Sequence, residues 1–223
     1  MAIEFIKEWL IICEGGADKA FFAELIRRRS LPDFQIQYPR REGDDTGGFH
    51  KYGRFLNEIQ INEGFIQNVR AILVTADNDD DPATRFTEIQ EQIRNVGGYG
   101  VPDLPLQVAR SVRDLPNIVI MMMPPDGTPG NLESVLLPAA YSKWPGLQSP
   151  LTDYINSSPA KDWEPRKQAK ARLRSIVSAT CKQKPDTPYS LLWGRPEEYH
   201  IPVDHDSLDS IADILERFGD MIA

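Results

Sequence analysis

An apolar run at residues 69–76 is followed at once by an acidic cluster, Asp-Asn-Asp-Asp-Asp, at residues 77–81. An uninterrupted apolar run of this length is typical of a strand that is buried on both faces of a parallel sheet. Carboxylates packed together at the end of a strand repel one another, which raises their pKa values unless a cation neutralises them. The pattern therefore predicts a buried strand whose carboxyl end carries a site for a divalent cation.

Strands and helices are predicted to alternate along the first two thirds of the chain. Apolar runs predict strands at residues 3–13 and 118–123 as well as at 69–76, and alternating apolar and polar residues predict a short strand at 34–38. Apolar residues at helical spacing predict the intervening helices, at residues 17–29, 52–64 and 82–96 and from residue 131 or 132 onwards. A polar, glycine-rich stretch predicts a loop at residues 40–48. This alternation is typical of an α/β domain in which helices flank a mainly parallel sheet.

The composition changes after residue 145. Residues 151–183 favour helices and are rich in Lys and Arg, whereas residues 197–223 carry eight acids and one Arg. We therefore expect a Rossmann-like α/β domain at residues 1–145 and a mostly helical C-terminal extension at residues 146–223 that packs on it.

Bulk properties exclude several classes of protein. Among the 223 residues, 41% are hydrophobic and 26% are charged, which is ordinary for a globular chain. No apolar stretch approaches the roughly 20 residues that span a bilayer, and no signal peptide is apparent at the start. Cys13 and Cys181 are too few and too far apart for a disulfide framework or a zinc pattern. A cytoplasmic protein with no membrane partner is therefore expected.

A further acid stands at the end of another predicted strand. Glu14 follows the apolar residues 9–13 and precedes a pair of glycines, which allow positive φ and a close approach of the backbone. Ligands of open parallel sheets bind outside the carboxyl ends of the strands. The side chains of Glu14, Asp77 and Asp79 are therefore expected to point into one crevice.

Three short motifs follow predicted strands in a fixed order. They are Glu-Gly-x-x-Asp at residues 14–18, Asp-x-Asp at residues 77–79 and Gly-x-Leu-Glu at residues 130–133. The first two together resemble the Toprim domain of topoisomerases, bacterial-type primases and OLD-family nucleases, and the third is similar to a signature of small, stand-alone Toprim-like proteins. The resemblance covers residues 5–140, without the zinc-binding cysteines of a primase or the tyrosine arrangement of a topoisomerase.

This resemblance implies a role for each acid. Glu14 is the general acid or base, Asp77 and Asp79 hold Mg²⁺ or Mn²⁺, and Glu133 is a third acidic metal ligand. Hard cations of this kind prefer oxygen ligands and share their coordination with substrate phosphates. Further candidate acids of the site are Asp18 and Asp81. The implied function is a metal-dependent nuclease or another enzyme that acts on nucleic-acid phosphodiesters.

Basic residues cluster locally although the net charge is −8, which argues against a protein that simply coats nucleic acid. The first predicted helix ends in three arginines, and the basic helix of the extension offers further cations to a phosphate backbone. The candidate phosphate contacts are Arg27, Arg28, Arg29, Lys167, Lys170 and Arg174.

Structural explanations compete with the functional ones. The acidic cluster is also expected of a solvated loop in which Asp80 or Asp81 caps the following helix, and Asp18 is also expected of an N-cap of the first helix. Glu133 is equally well explained as an acid that favours the first turn of a helix.

Two functions other than a nuclease stay open at this point, because one fold hosts many activities. The chain is also compatible with a non-catalytic Toprim-like module that binds or recruits a partner protein. It is further compatible with a phosphohydrolase that acts on small phosphate esters. The sequence leaves open the oligomeric state and the choice between DNA and RNA.

Overall fold

A four-stranded parallel sheet forms the centre of the protein. The computed structural model describes residues 3–39, 48–112 and 114–223. The strands are β1 (Trp9–Ile12), β2 (Phe34–Gln37), β3 (Ala71–Asp77) and β4 (Asn117–Met123). Their order in the sheet is β2-β1-β3-β4, and every pair is parallel. The expected α/β class with a parallel sheet is thus confirmed.

Helices cover both faces of the sheet. In chain order they are α1 (Gly16–Arg29), α2 (Tyr52–Ile59), α3 (Glu63–Asn68), α4 (Pro82–Val96), α5 (Leu132–Lys143), α6 (Gln148–Ser157), α7 (Pro165–Thr180), α8 (Asp209–Glu216) and α9 (Phe218–Ile222). No helix within the described residues is long and apolar enough to cross a membrane.

Alternation along the strands divides the core into two layers. Successive side chains of a strand point to opposite faces of the sheet. Leu73 and Val119 belong to a buried cluster with side chains of α1, α5, α7 and α8, whereas Ile72 and Ile120 belong to a second cluster with side chains of α2, α3 and α4. Both faces are therefore dry, which explains why β3 and β4 are continuous apolar runs.

The C-terminal extension contributes to the first of these layers. Leu173 and Ile176 of α7 and Phe218 of α9 are fully buried in the same cluster as the strands. The extension therefore covers one face of the sheet, while the expected domain boundary at residue 145 stays a prediction.

The sheet order creates a crevice beside β1. After β1 the chain forms β2 on one side, and it later forms β3 on the other. Ligands of such sheets bind where the chain changes direction in this way, outside the carboxyl ends of the strands. Glu14 lies two residues beyond β1, and Asp77 is the last residue of β3. Both acids therefore reach this crevice.

Several boundaries differ from the sequence-based expectation. The first strand comprises Trp9–Ile12 rather than residues 3–13, and the helix expected at 52–64 is two helices. The second of these begins because the Asn62 side chain accepts a hydrogen bond from the Phe65 N–H and caps it. The loop expected at 40–48 lies, apart from Gly48, outside the described residues.

The long helical segment expected at 151–183 is also divided. Helix α6 ends at Ser157, and α7 begins at Pro165, after a short turn that starts with Pro159. Proline has no N–H to donate and is favoured at the first position of a helix, so the two prolines separate the helices.

Arg29 ties the extension to the end of α1. Its guanidinium donates to the carbonyl oxygens of Val203 and His205 at 2.8 Å each and to Asp209 at 2.6 Å, and its side chain is 17% exposed. We expect Arg29→Ala to lower the free energy of unfolding by about 1–3 kcal/mol, because two partly buried carbonyls lose their partner. Urea denaturation monitored by circular dichroism measures this loss.

Arg54→Ala is the matched control for that experiment. The Arg54 side chain is 51% exposed and pairs with Glu58 on the same helix, so its removal is expected to leave the stability almost unchanged. Equal stability of the two variants would show that Arg29 does not anchor the extension.

Candidate functional site

A polar cleft of about 240 Å³ lies at the carboxyl edge of the sheet, between the ends of β1 and β3. The cleft is lined by Glu14, Gly15, Ala17, Asp18, Gly48, Asp77, Leu132, Glu133 and Lys170. Four of these residues are acids from four different elements or their ends, and one is a lysine from α7. The fold thus brings together carboxylates that are far apart in sequence.

Glu14 joins the end of β1 to the end of β3. Its Oε1 atom accepts a hydrogen bond of 3.0 Å from the backbone N–H of Asp77. Burial and, next in size, the nearby charge of Asp18 raise the pKa of Glu14 to about 7, against a smaller lowering by the Asp77 N–H. A carboxyl group with a pKa near neutrality can both accept and donate a proton at physiological pH.

Asp77 joins the end of β3 to the start of α5. Its Oδ1 atom accepts a hydrogen bond of 3.0 Å from the backbone N–H of Leu132, the first residue of that helix. Burial, followed by the charges of Glu14 and Asp18, raises the pKa of Asp77 well above its usual range. The helix N-terminus partly offsets this cost, because its free N–H groups favour a negative charge.

Asp18 and Glu133 complete the acidic lining from two helices. Asp18 is 7% exposed and Glu133 is 5% exposed. Burial raises the pKa of Asp18 to about 6, and the charge of Glu133 adds to this shift. The Lys170 Nζ atom lies 3.5 Å from Glu133 Oε1 and supplies a positive charge to the cleft.

The turn after β1 differs from the expectation in two respects. Gly15 has a φ of −161°, and neither glycine of the pair has a positive φ, so the expected use of positive φ is wrong. The N-cap of α1 is Gly15 rather than Asp18. Asp18 stands in the first turn, and its Oδ2 atom accepts a hydrogen bond of 3.0 Å from the Gly15 N–H. The carboxylate thereby fixes the backbone directly after Glu14.

The Gly-x-Leu-Glu segment has a defined role at each position. The backbone of Gly130 exchanges two hydrogen bonds of 2.8 Å with Asp79, and an added Cβ would lie 2.9 Å from Pro124. Asn131 caps α5 by accepting from the Ser134 N–H. Leu132 supplies the backbone N–H that donates to Asp77. Glu133 supplies one of the carboxylates that line the cleft.

Asp79 does not line the cleft. Asp79 has a positive φ of 51°. Each of its carboxylate oxygens forms an ion pair with an arginine. Arg166 Nη1 lies 2.9 Å from Oδ1, and Arg85 forms an ion pair with Oδ2. The structure therefore separates the two aspartates of the Asp-x-Asp motif, and the metal-ligand role of Asp79 stays a prediction.

Asp81 and Asp80 have structural partners. The Asp81 carboxylate accepts from the N–H and the hydroxyl of Thr84, at 3.1 and 2.6 Å, and these bonds lower its pKa. The expectation that Asp80 or Asp81 caps the next helix is thus confirmed for Asp81, the N-cap of α4. Asp80 pairs with Arg166 at 2.8 Å.

The candidate phosphate contacts are distributed unevenly. Lys170 alone of the six lines the cleft. The three arginines at residues 27–29 lie at the C-terminal end of α1, whereas the N-terminal end of this helix borders the cleft. Because a helix rises 1.5 Å per residue, roughly 20 Å separate the two ends. Lys167 pairs with Glu164 at 2.8 Å, and the Arg174 guanidinium lies 5.5 Å from the ring centre of Tyr189.

Sequence reasoning missed Arg85. Its position four residues into α4 places it beside Asp79, which it neutralises together with Arg166. A cation shortly after an acidic cluster is a weak signal, because the geometry that joins them depends on the positive φ of Asp79.

The donors of the cleft suit a hard divalent cation in their chemistry. The four lining acids offer carboxylate oxygens, which Mg²⁺ and Mn²⁺ prefer. Burial and the charges of neighbouring acids raise the pKa values of Glu14, Asp18 and Asp77, and a cation would offset both effects. Within the described residues, no three His, Cys, Asp or Glu side chains stand in a ready-made coordination geometry. A cation here would rely on water and phosphate oxygens for its remaining ligands.

The raised pKa values predict how stability depends on pH. A carboxyl group whose pKa is higher in the folded state than in the unfolded state binds more protons when folded. The ionisation of Glu14 therefore lowers the stability of the fold as the pH rises from about 4.5 to about 7. We expect Glu14→Gln to flatten this fall and, at pH 8 without divalent cations, to raise the free energy of unfolding by on the order of 2 kcal/mol. Urea denaturation between pH 5 and pH 8 measures both effects.

Glu91→Gln is the control, because Glu91 is an exposed residue in the middle of α4. It is expected to keep the pH dependence of the unmodified protein. If Glu14→Gln also kept this pH dependence, the carboxyl group of Glu14 would not titrate between pH 4.5 and pH 7.

Comparison with known proteins places the chain in a family. A family model described as "Protein of unknown function (DUF3226)" matches residues 8–219, from β1 to α9. No curated protein and no solved structure matches the chain. Because the match spans the sheet, the acidic cleft and the C-terminal extension, the chain belongs to the DUF3226 family.

Proposed function

We propose that this protein is a Toprim-like enzyme that uses Mg²⁺ or Mn²⁺ to cleave phosphodiesters of nucleic acids. The observation that carries the proposal is the convergence of four carboxylates on one cleft at the carboxyl edge of the sheet, of which Asp18 and Glu133 are buried and Glu14 and Asp77 are half-buried. Burying several acids together destabilises the fold, so a functional demand for their charge is the simplest reason for the arrangement. The order of the three sequence motifs supports the relation to Toprim domains.

The proposed roles follow from the positions of the acids. Asp77 and Glu133 would hold the cation, with Asp18 as a further oxygen donor, because these carboxylates face the same cleft. A bound cation supplies activation of a water molecule and neutralisation of phosphate charge. Glu14 transfers the proton, since its pKa of about 7 suits a group that must be both acid and base near neutral pH.

Lys170 is the proposed first contact with a phosphate of the substrate. Its side chain is 51% exposed, and its Nζ atom stands 3.5 Å from Glu133 at the mouth of the cleft. Helix α7 continues from this point with further basic residues, which gives a nucleic-acid backbone a path away from the acids. A short contact of this kind is compatible with a net charge of −8.

A phosphohydrolase of small phosphate esters is the second candidate. The volume of about 240 Å³ suits a single phosphate ester and the atoms around it. Activity on small esters without activity on DNA or RNA would favour this candidate. Cation binding without turnover of any substrate would instead favour a non-catalytic module that recruits a partner protein.

A cytoplasmic location belongs to the same proposal. Cys13 and Cys181 are both free and buried. Reduced thiols are usual in a reducing compartment such as the cytoplasm.

We expect Asp77→Asn and Glu14→Gln each to lower the metal-dependent hydrolysis by about 10²-fold or more, with the fold retained. The first variant removes a cation ligand, and the second removes the acid or base. Cleavage of single-stranded and double-stranded DNA and RNA and of small phosphate esters, with Mn²⁺ or Mg²⁺, measures the loss. Circular dichroism confirms that the variants are folded.

Asp81→Asn is the matched control for these variants. It changes the same residue type in the same acidic cluster, but Asp81 caps α4 and does not line the cleft. This variant is expected to hydrolyse the substrate at the rate of the unmodified protein. Full activity of both Asp77→Asn and Glu14→Gln would refute the proposed function.

A further inference from the structure

A row of exposed cations follows one side of α7. The helix carries five Lys or Arg residues and no acid. Three of the five, Lys167, Lys170 and Arg174, are exposed and recur every three or four residues, so they lie on the same side of the helix and form a basic stripe. In a chain with a net charge of −8, such a local concentration of positive charge indicates an anionic partner.

The basic stripe connects the acidic cleft to a second cavity. Lys170 lines the cleft, and Arg174, one helical turn further along α7, lines a groove of about 200 Å³. Tyr189 lies between the two cations: its hydroxyl donates to the Lys170 carbonyl at 3.4 Å, and its ring centre is 5.5 Å from the Arg174 guanidinium. A ligand that occupies both cavities therefore contacts Lys170 and Arg174.

The cations of the stripe are available to a ligand. Lys167 pairs with Glu164 at 2.8 Å, but both side chains are about half exposed, and a pair of this kind breaks at little cost. Lys170 lies 3.5 Å from Glu133, which is longer than a good hydrogen bond. Arg174 contacts the ring of Tyr189 and forms no ion pair within the described part of the chain.

The groove beside Arg174 suits a nucleobase. Val177, Pro185 and Pro188 give it apolar walls, and Ser178 and Asp186 add polar groups. Apolar walls with a few polar groups are typical of sites that bind flat heterocycles. A base can enter such a groove only when it is unpaired, because pairing and stacking hold it inside a duplex.

We propose that the basic stripe binds the phosphates of a single-stranded nucleic acid and that the groove beside Arg174 takes one of its bases. This inference rests on the function proposed above and names its substrate as a single strand rather than a duplex. Neighbouring positions of the stripe have Cβ atoms about 5–6 Å apart, which is close to the spacing of successive phosphates along an extended strand. The phosphate at Lys170 then lies at the mouth of the acidic cleft.

The test is a fluorescence anisotropy titration of the full-length protein with a labelled single strand of mixed sequence, its duplex and an abasic strand of the same length. EDTA is present, so that metal-dependent cleavage does not occur. We expect the logarithm of the single-strand affinity to fall against the logarithm of the salt concentration with a slope of about −2, because each of three phosphate contacts contributes about −0.7. The abasic strand keeps the phosphates but leaves the groove empty, so it should bind about 5-fold or more weakly.

Arg174→Gln is expected to weaken single-strand binding by about 3-fold or more and to make the salt slope shallower by about 0.7, because one phosphate contact is lost. Lys170→Gln should have the same effect, and it provides a second variant if Arg174→Gln does not fold.

Arg172→Gln is the matched control, because it removes the same charge from the same helix. Arg172 stands two residues from both Lys170 and Arg174, so it lies on a different side of α7, where its guanidinium is 3.4 Å from the Gln168 side chain. This variant should keep the affinity and the salt slope of the unmodified protein.

The outcomes separate this inference from the proposed function. Duplex binding as tight as single-strand binding, full affinity for the abasic strand, or equal losses in Arg174→Gln and Arg172→Gln would each overturn the single-strand site. The proposed function would still depend only on the hydrolysis by Asp77→Asn and Glu14→Gln. Conversely, full hydrolysis by both of those variants would refute the proposed function, whereas single-strand binding measured without a metal would stand.

Discussion

Two hydrogen bonds hold the acidic edge of the sheet together. The Asp77 N–H donates to Glu14, and the Asp77 carboxylate accepts from the Leu132 N–H. Through them the ends of β1 and β3 and the start of α5 form a single unit, and Glu133 directly follows Leu132 in that unit. Each bond uses a carboxylate as a structural acceptor, so the groups suited to chemistry also fix the backbone.

The same unit carries an electrostatic cost. Burial and mutual repulsion raise the pKa values of Glu14, Asp18 and Asp77, and among the described residues that line the cleft the positive charge is that of Lys170. The N-terminus of α5 offsets part of this cost at Asp77. The remaining cost is what a cation or the protonation of Glu14 would relieve, which links the stability of the fold to the chemistry proposed for the cleft.

The sequence allowed prediction of those parts of the site that depend on strand ends. Apolar runs located β3 and β4, and the rule that parallel strands present their carboxyl ends at one edge placed Glu14 and Asp77 together. It did not allow prediction of the position of Asp79, because that depends on a backbone φ of 51° and on a guanidinium 87 residues away in sequence, on Arg166. Neither a local motif nor a hydrophobic period carries such information.

The role of the C-terminal extension was also not predictable from the sequence. As a sequence it is an appended helical piece, yet α7 buries Leu173 against the sheet and, from one exposed face, presents Arg166 to Asp79 and Lys170 to Glu133. The packing of α7 therefore determines how much positive charge reaches the acidic edge. The two cations lie one turn apart on the side of the helix that faces away from the core. The extension thus borders the acidic edge and, together with Arg85 of α4, supplies cations to its carboxylates.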